Sequence, residues 1–176
     1  MRAWVAAVAM TACGGAQGWR VPAGWKHETI PFPLEFAPSL AHQGVEELRF
    51  PPGFMDARSA NHWSYGFVWR LRDAAQLDDA ALAGELTVYF RGLLGAVDGD
   101  KHRLDPAQIS VRVEHGAVAA HVFDAFGDGA PIDLVGTAAR TPCGSGSLWR
   151  FVLAPDGSPV RGELTRLVGE AGCSRD

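Results

Sequence analysis

Between Thr29 and Phe36 the apolar residues Ile30, Phe32, Leu34 and Phe36 alternate with Thr29, Pro31, Pro33 and Glu35. A period of two predicts a strand. Its two prolines cannot donate to a ladder, so it belongs at a sheet edge. A weaker strand covers Val45 to Phe50 and ends at Pro51-Pro52-Gly53. The clearest strand runs from Trp63 to Arg72. It carries Trp63, Tyr65, Phe67, Trp69 and Leu71 on one face, with Ser64, Gly66, Val68, Arg70 and Arg72 on the other. The period then lengthens: Leu82, Leu86, Tyr89, Phe90, Leu93, Leu94 and Val97 recur at helical spacing. Asp78 or Asp79 caps this helix, and Gly95 and Gly99 mark its end.

Gln108 to Glu114 and Ala117 to Phe126 predict a hairpin about a His115-Gly116 turn. Pairing Ser110 with His121 places Ile109, Val111 and Val113 opposite Val122, Ala120 and Val118 on one apolar face, and Arg112 opposite Ala119 on the reverse. A slip of one residue destroys that separation. Further strands follow over Ile132 to Arg140 and Leu148 to Ala154. Ser158 and Pro159 then start a helix with Val160, Leu164, Leu167, Val168 and Ala171 on one stripe, stopped by Gly172. Nothing alternates as β-α-β, so the class is α+β: an antiparallel sheet of about six or seven strands with two main helices packed on it.

This order of elements, with Leu148-Trp149-Arg150-Phe151-Val152-Leu153-Ala154 leading into a final helix, resembles the PsbP-like sandwich, and the likeness implies architecture alone. Trp25-Lys26-His27-Glu28-Thr29-Ile30-Pro31-Phe32-Pro33, Gly44 to Gly53, Trp63-Ser64-Tyr65 and Tyr89-Phe90-Arg91-Gly92 resemble an exported bacterial family without an established function. That resemblance implies export and carries over no catalytic residue.

The N-terminus bears on the same point. Met1-Arg2 precedes the apolar run Ala3 to Met10, too short to span a bilayer, and then Met10-Thr11-Ala12-Cys13-Gly14. Residues 1–12 read as a lipoprotein-type signal peptide with Cys13 as the lipidated residue. Met10 stands where such patterns usually have Leu. The alternative is ordinary secretory cleavage after Ala16. Residues 13–24 then form a tether rich in Gly and Ala, and 25–176 a single domain. Either route removes Cys13 from the count and leaves Cys143 and Cys173 as a pair in an oxidising compartment. Both sit in turn-forming surroundings rather than apolar runs, so they are expected to form a disulfide, worth roughly 3 to 4 kcal/mol for a loop of about thirty residues. The expected location is the cell envelope, or secretion.

The chain has 176 residues, 47% of them hydrophobic, with a net charge of −4. That excludes disordered and fibrous classes and supplies no basic field for nucleic acid. Motifs are few. His27-Glu28 opens like a zinc-protease pattern, but Pro31 stands where the second His is needed. Asp98-Gly99-Asp100 opens like a calcium loop, but Ile109 occupies the twelfth position. No metal or cofactor is therefore expected.

Ser110, Arg112 and His121 on the polar face of the hairpin form the nearest approach to a catalytic grouping, although Asp124 falls on the opposite face from His121. His27, His42, His62 and His102 lie in or beside loops and read as surface residues. The row Trp63, Tyr65, Trp69 reads as core, its alternative being a stacking platform for sugars; the reverse face, with Arg70 and Arg72, then meets solvent or an anionic group. Function is accordingly expected to be non-catalytic binding of a protein or small ligand by a lipid-anchored domain. The alternatives are a hydrolase at Ser110/Arg112/His121 and a carbohydrate-binding module at the aromatic row.

Overall fold

The computed structural model describes residues 19–99 and 101–173. The segment 1–12 expected to be a signal peptide, and Cys13, lie outside the described residues. Seven strands form a single antiparallel sheet: β1 (Lys26–Phe32), β2 (Gly44–Phe50), β3 (Tyr65–Leu71), β4 (Ser110–Glu114), β5 (Ala117–Phe123), β6 (Pro131–Cys143) and β7 (Gly146–Pro155). Their spatial order is β1-β2-β3-β7-β6-β5-β4. The helices α1 (Asp79–Val97) and α2 (Arg161–Gly169) pack on opposite faces. The α+β class and the two-helix arrangement are as expected.

The α1 face holds the larger core. Its helix begins at Asp78, whose side chain accepts from the Ala81 amide at 2.8 Å, and buries Leu82, Leu86, Tyr89, Phe90 and Leu94. Tyr89 stacks on Phe67, which stacks in turn on Phe151 at 4.5 Å between centroids. Trp63, Tyr65 and Trp69 are each no more than 2% exposed. The sugar-platform reading is thereby corrected, because the apolar stripe of α1 needs that surface and takes it. On the opposite face α2 buries Leu164, Leu167 and Val168 against Val68, Leu148 and Val152. Gly66 makes this approach possible, since a Cβ there would sit 2.5 Å from Val168 Cγ2.

The hairpin register is the expected one, with Ser110 opposite His121 and Val113 opposite Val118. Both turn residues have positive φ, His115 at 50° and Gly116 at 79°, as the favoured two-residue turn demands.

Several boundaries differ. β1 stops at Phe32; beyond it Ala37 donates to the Leu34 carbonyl and Leu40 to that of Ala37, so consecutive turns bury Leu34, Ala37 and Leu40 in place of an alternating strand. Trp63 lies outside β3 with φ of 53°. α2 starts at Arg161, not at Pro159, and Ser158 does not cap it: the Ser158 hydroxyl is hydrogen-bonded to that of Ser64 at 2.8 Å. β6 and β7 extend to Cys143 and Gly146, leaving only Gly144-Ser145 as their turn.

The N-terminal boundary also moves. Trp19 is 5% exposed and belongs to the α2-side core, so the segment expected to be tether is already part of the fold at residue 19.

Candidate functional site

Three strands from distant parts of the sequence meet under α2. Glu47 of β2 lies opposite Val68 of β3, which lies opposite Arg150 of β7; one row away, Val45, Arg70 and Leu148 are aligned. Arg49, Arg70 and Arg150 therefore share one sheet face with Glu47. Arg70 Nε donates to Glu47 Oε2 at 2.6 Å. Burial, with a small contribution from Arg70, pushes both the Arg49 and Arg150 guanidinium groups below their ordinary values; for Arg49 a larger opposing pull comes from Glu47.

These arginines fasten both ends of the described chain. Arg49 donates to the Trp19 and Arg20 carbonyls, and its guanidinium lies 4.5 Å from the Trp19 ring centroid. Arg150 donates to the Ala171 carbonyl and, at 2.7 Å, to the Thr141 hydroxyl. Arg70 donates to the Gly172 carbonyl. Arg20 pairs with Glu170, which joins the two termini directly. The strap beyond α2 ends at Cys173, which is bridged to Cys143 with Cα atoms 5.5 Å apart, giving the expected disulfide.

Beside this bridge opens a cleft of about 600 Å³. Its floor and walls come from Val45, Arg70–Arg72, the turn from Pro142 to Leu148, and Cys173. Arg72 is exposed, and among the described residues no side chain or carbonyl engages its guanidinium. Asp73, the next residue, is held at 3.2 Å by His42. The lining thus offers cationic donors, two serines and an apolar floor. It contains no His, Asp, Glu or Lys, and so no general base.

The hydrolase expectation fares differently. Ser110, His121 and Asp133 align across β4, β5 and β6, and His121 Nδ1 lies 2.8 Å from Asp133 Oδ1. The sequence pattern missed Asp133 because it sits on a neighbouring strand, in register with His121. Yet the Asp133 side chain is 84% exposed and that of His121 39%, while Ser110 and Arg112 are exposed. The serine makes no hydrogen bond to the imidazole, and the cleft beside the bridge contains none of these residues. A flat, solvated row cannot strengthen charge interactions or exclude water, so the hydrolase reading loses its site.

Three of the histidines read as surface residues are instead paired. His42 bridges Asp73 and Glu85, at 3.2 and 2.9 Å, and the Glu85 hydrogen bond chiefly raises its pKa. His62 lies 3.3 Å from Asp124, which is itself buried and accepts from Trp63 Nε1 at 2.9 Å. His102 pairs with Asp98. Among the described residues no group of three or more His, Cys, Asp or Glu side chains is arranged to hold a metal.

The deepest ionisable group is Glu46, fully buried on the α1 face and accepting from Trp69 Nε1 at 3.0 Å. Burial pushes its pKa up to about 8, against the opposing hydrogen bond from Trp69. Sequence alternation could have found it, since Glu46 shares its face with Leu48 and Phe50. It has no route to the cleft and serves no visible chemistry.

Comparison with known protein families, with curated proteins and with solved structures finds no match to this chain. The reading of the site rests on its own geometry.

Proposed function

We propose that the protein is an exported cell-envelope domain, lipid-anchored through Cys13, that binds a protein or small ligand and performs no catalysis. The observation that carries the binding role is the cleft beside the Cys143–Cys173 bridge, a recess with guanidinium donors and no acid–base or nucleophile–base pair in its lining. Clefts with an apolar floor and a few converging polar groups are the usual form of a small-ligand site. Export is supported by the leader pattern over 1–12 and by a bridge of the kind that oxidising compartments maintain.

Metabolic labelling with a fatty-acid analogue tests the anchor: label is expected on the wild-type chain and absent from Cys13→Ser, and equal labelling of both overturns it. Intact mass of the mature protein is expected to show no free thiol at Cys143 or Cys173, and two free thiols would remove the support the bridge gives to export. For the binding role, Arg72→Glu is expected to abolish ligand-induced thermal shifts across a panel of small anions. Unchanged shifts would place binding elsewhere.

A further inference from the structure

We propose that the cleft receives the phosphodiester headgroup of an anionic lipid from the same membrane that holds the Cys13 anchor. The proposal rests on the anchored, ligand-binding reading above and names its ligand class.

Charge is the first argument. The chain as a whole is acidic, at −4. The cleft is the reverse: Arg70 and Arg72, at the end of β3, line it, while Arg49 and Arg150 stand farther along the same sheet face on β2 and β7. Glu47 is the carboxylate set among them, and it is bound to Arg70. Asp73 is held by His42, and Glu170 by Arg20 and Arg166. The lining of the cleft therefore carries two arginines and no carboxylate. Of its two lining arginines, Arg70 is committed to Glu47 and the Gly172 carbonyl, whereas Arg72 is exposed with its donors unclaimed among the described residues. A guanidinium fork suits two oxygens of a phosphate better than a point charge does.

Shape is the second. The cleft pairs this fork with Val45, Pro142 and the edge of Leu148. A free inorganic anion has no use for that apolar part, but the glycerol and first methylenes of a lipid do. Exposed Ser145 at the tip of the turn adds a hydroxyl that can donate to a headgroup oxygen.

Position is the third. Trp19 is buried in the α2-side core beneath the Arg49 guanidinium, and Cys143 packs against the same cluster. Trp19 lies six positions after Cys13, so however the intervening chain runs, the anchor can stand no more than about 22 Å from Trp19. An acylated Cys13 thus holds Trp19, on the same side of the sheet as the cleft, within about 22 Å of the lipid surface.

The test uses the mature chain from residue 13 with Cys13→Ser, titrated with dihexanoyl phosphatidylglycerol, dihexanoyl phosphatidylcholine and inorganic phosphate. Binding is followed by calorimetry and by amide chemical shifts. Phosphatidylglycerol is expected to saturate one site, with shifts confined to residues around 70–72 and 142–148. Phosphatidylcholine and inorganic phosphate are expected to bind at least about tenfold more weakly, and Arg72→Glu to cost at least about tenfold for phosphatidylglycerol, as loss of a charge-assisted contact implies. Arg112→Glu, on the remote hairpin, should change nothing.

Equal affinity for inorganic phosphate would overturn the lipid assignment in favour of a free-anion site. Equal binding by Arg72→Glu, or shifts spread over the surface, would overturn the site itself. The labelling experiment at Cys13 reads the anchor separately, so equal labelling of the wild type and Cys13→Ser with retained headgroup binding refutes the anchor and leaves the cleft assignment standing.

Discussion

Replacing Glu46 by Gln tests the core directly, because the carboxyl has been taken out of water without a cationic partner. Glu46 is 0% exposed, accepts one hydrogen bond from Trp69 Nε1 and leaves Oε2 unpaired. Desolvation disfavours the charged form, and the pKa rises from an ordinary 4.5 to about 8. In the unfolded chain the group ionises near its ordinary value. Between those two values the folded state therefore holds one more proton than the unfolded state, and stability falls as pH rises. The slope is about 1.4 kcal/mol per pH unit, which amounts to about 3 kcal/mol between pH 5 and pH 7. The contribution is complete below the ordinary value and gone once pH passes through the folded value.

Glutamine keeps an acceptor for Trp69 and a donor in place of the carboxyl proton, and it does not titrate. Urea unfolding followed by tryptophan fluorescence, at half-unit steps from pH 5 to pH 8.5, should show a falling stability for the wild type and a much flatter curve for Glu46→Gln. The two should cross, with the variant the more stable above neutrality. Because a domain of this size has a total stability of only about 5 to 15 kcal/mol, a 3 kcal/mol change is readily resolved. Parallel curves across the interval would refute the reasoning, since any other titrating group contributes equally to both proteins.

Further outcomes follow from the same contacts. His42→Gln should remove a second, smaller loss of stability: its pKa is raised by Glu85, so its contribution is complete below the ordinary histidine value of 6.5 and lost as pH rises through the folded value; a double variant with Glu46→Gln should be flat from pH 5.5 upward in the same urea assay. Cys143→Ser with Cys173→Ser should cost about 3 to 4 kcal/mol in chemical denaturation, because the bridge closes a long loop in the unfolded chain. Arg49→Ala should cost about 2 kcal/mol by freeing the Trp19 and Arg20 carbonyls, and should expose the bond after Arg20 to trypsin well before the domain unfolds. Gly66→Ala should loosen α2, since its methyl group would lie 2.5 Å from Val168 Cγ2; faster amide exchange over 161–169 than over 79–97 would show it.

Much of the architecture was legible because it depends on local periodicity. The hairpin over 110–123 could be registered from sequence, as only one pairing puts Val111 and Val113 opposite Ala120 and Val118 while Ser110 meets His121. α1 was legible from its stripe and its Asp78 cap. The errors fall where tertiary contacts outweigh pattern. Leu34 and Phe36 continue the alternation of β1, but turns bonded to the Leu34 and Ala37 carbonyls bring Leu34 and Leu40 inward and let the Phe36 carbonyl pack against Gly92 of α1. Ser158 has the composition of a cap but finds a better partner in buried Ser64.

The cleft was illegible for a topological reason. Sequence order suggests that β3 lies far from the last strand, yet β7 inserts between β3 and β6 and becomes the central strand of the sheet. Arg70 and Arg150, eighty positions apart in the chain, are brought onto the same sheet face by that insertion alone. Because β7 leads straight into α2, the helix returns over β3 and delivers the Ala171 and Gly172 carbonyls to those same arginines, then Cys173 to Cys143. Guanidinium donors make charge-assisted hydrogen bonds to these carbonyls, which stabilise the strap that forms one wall of the recess. Arg72, one step past β3, is exposed at the cleft with its donors unclaimed among the described residues, so its charge faces the opening.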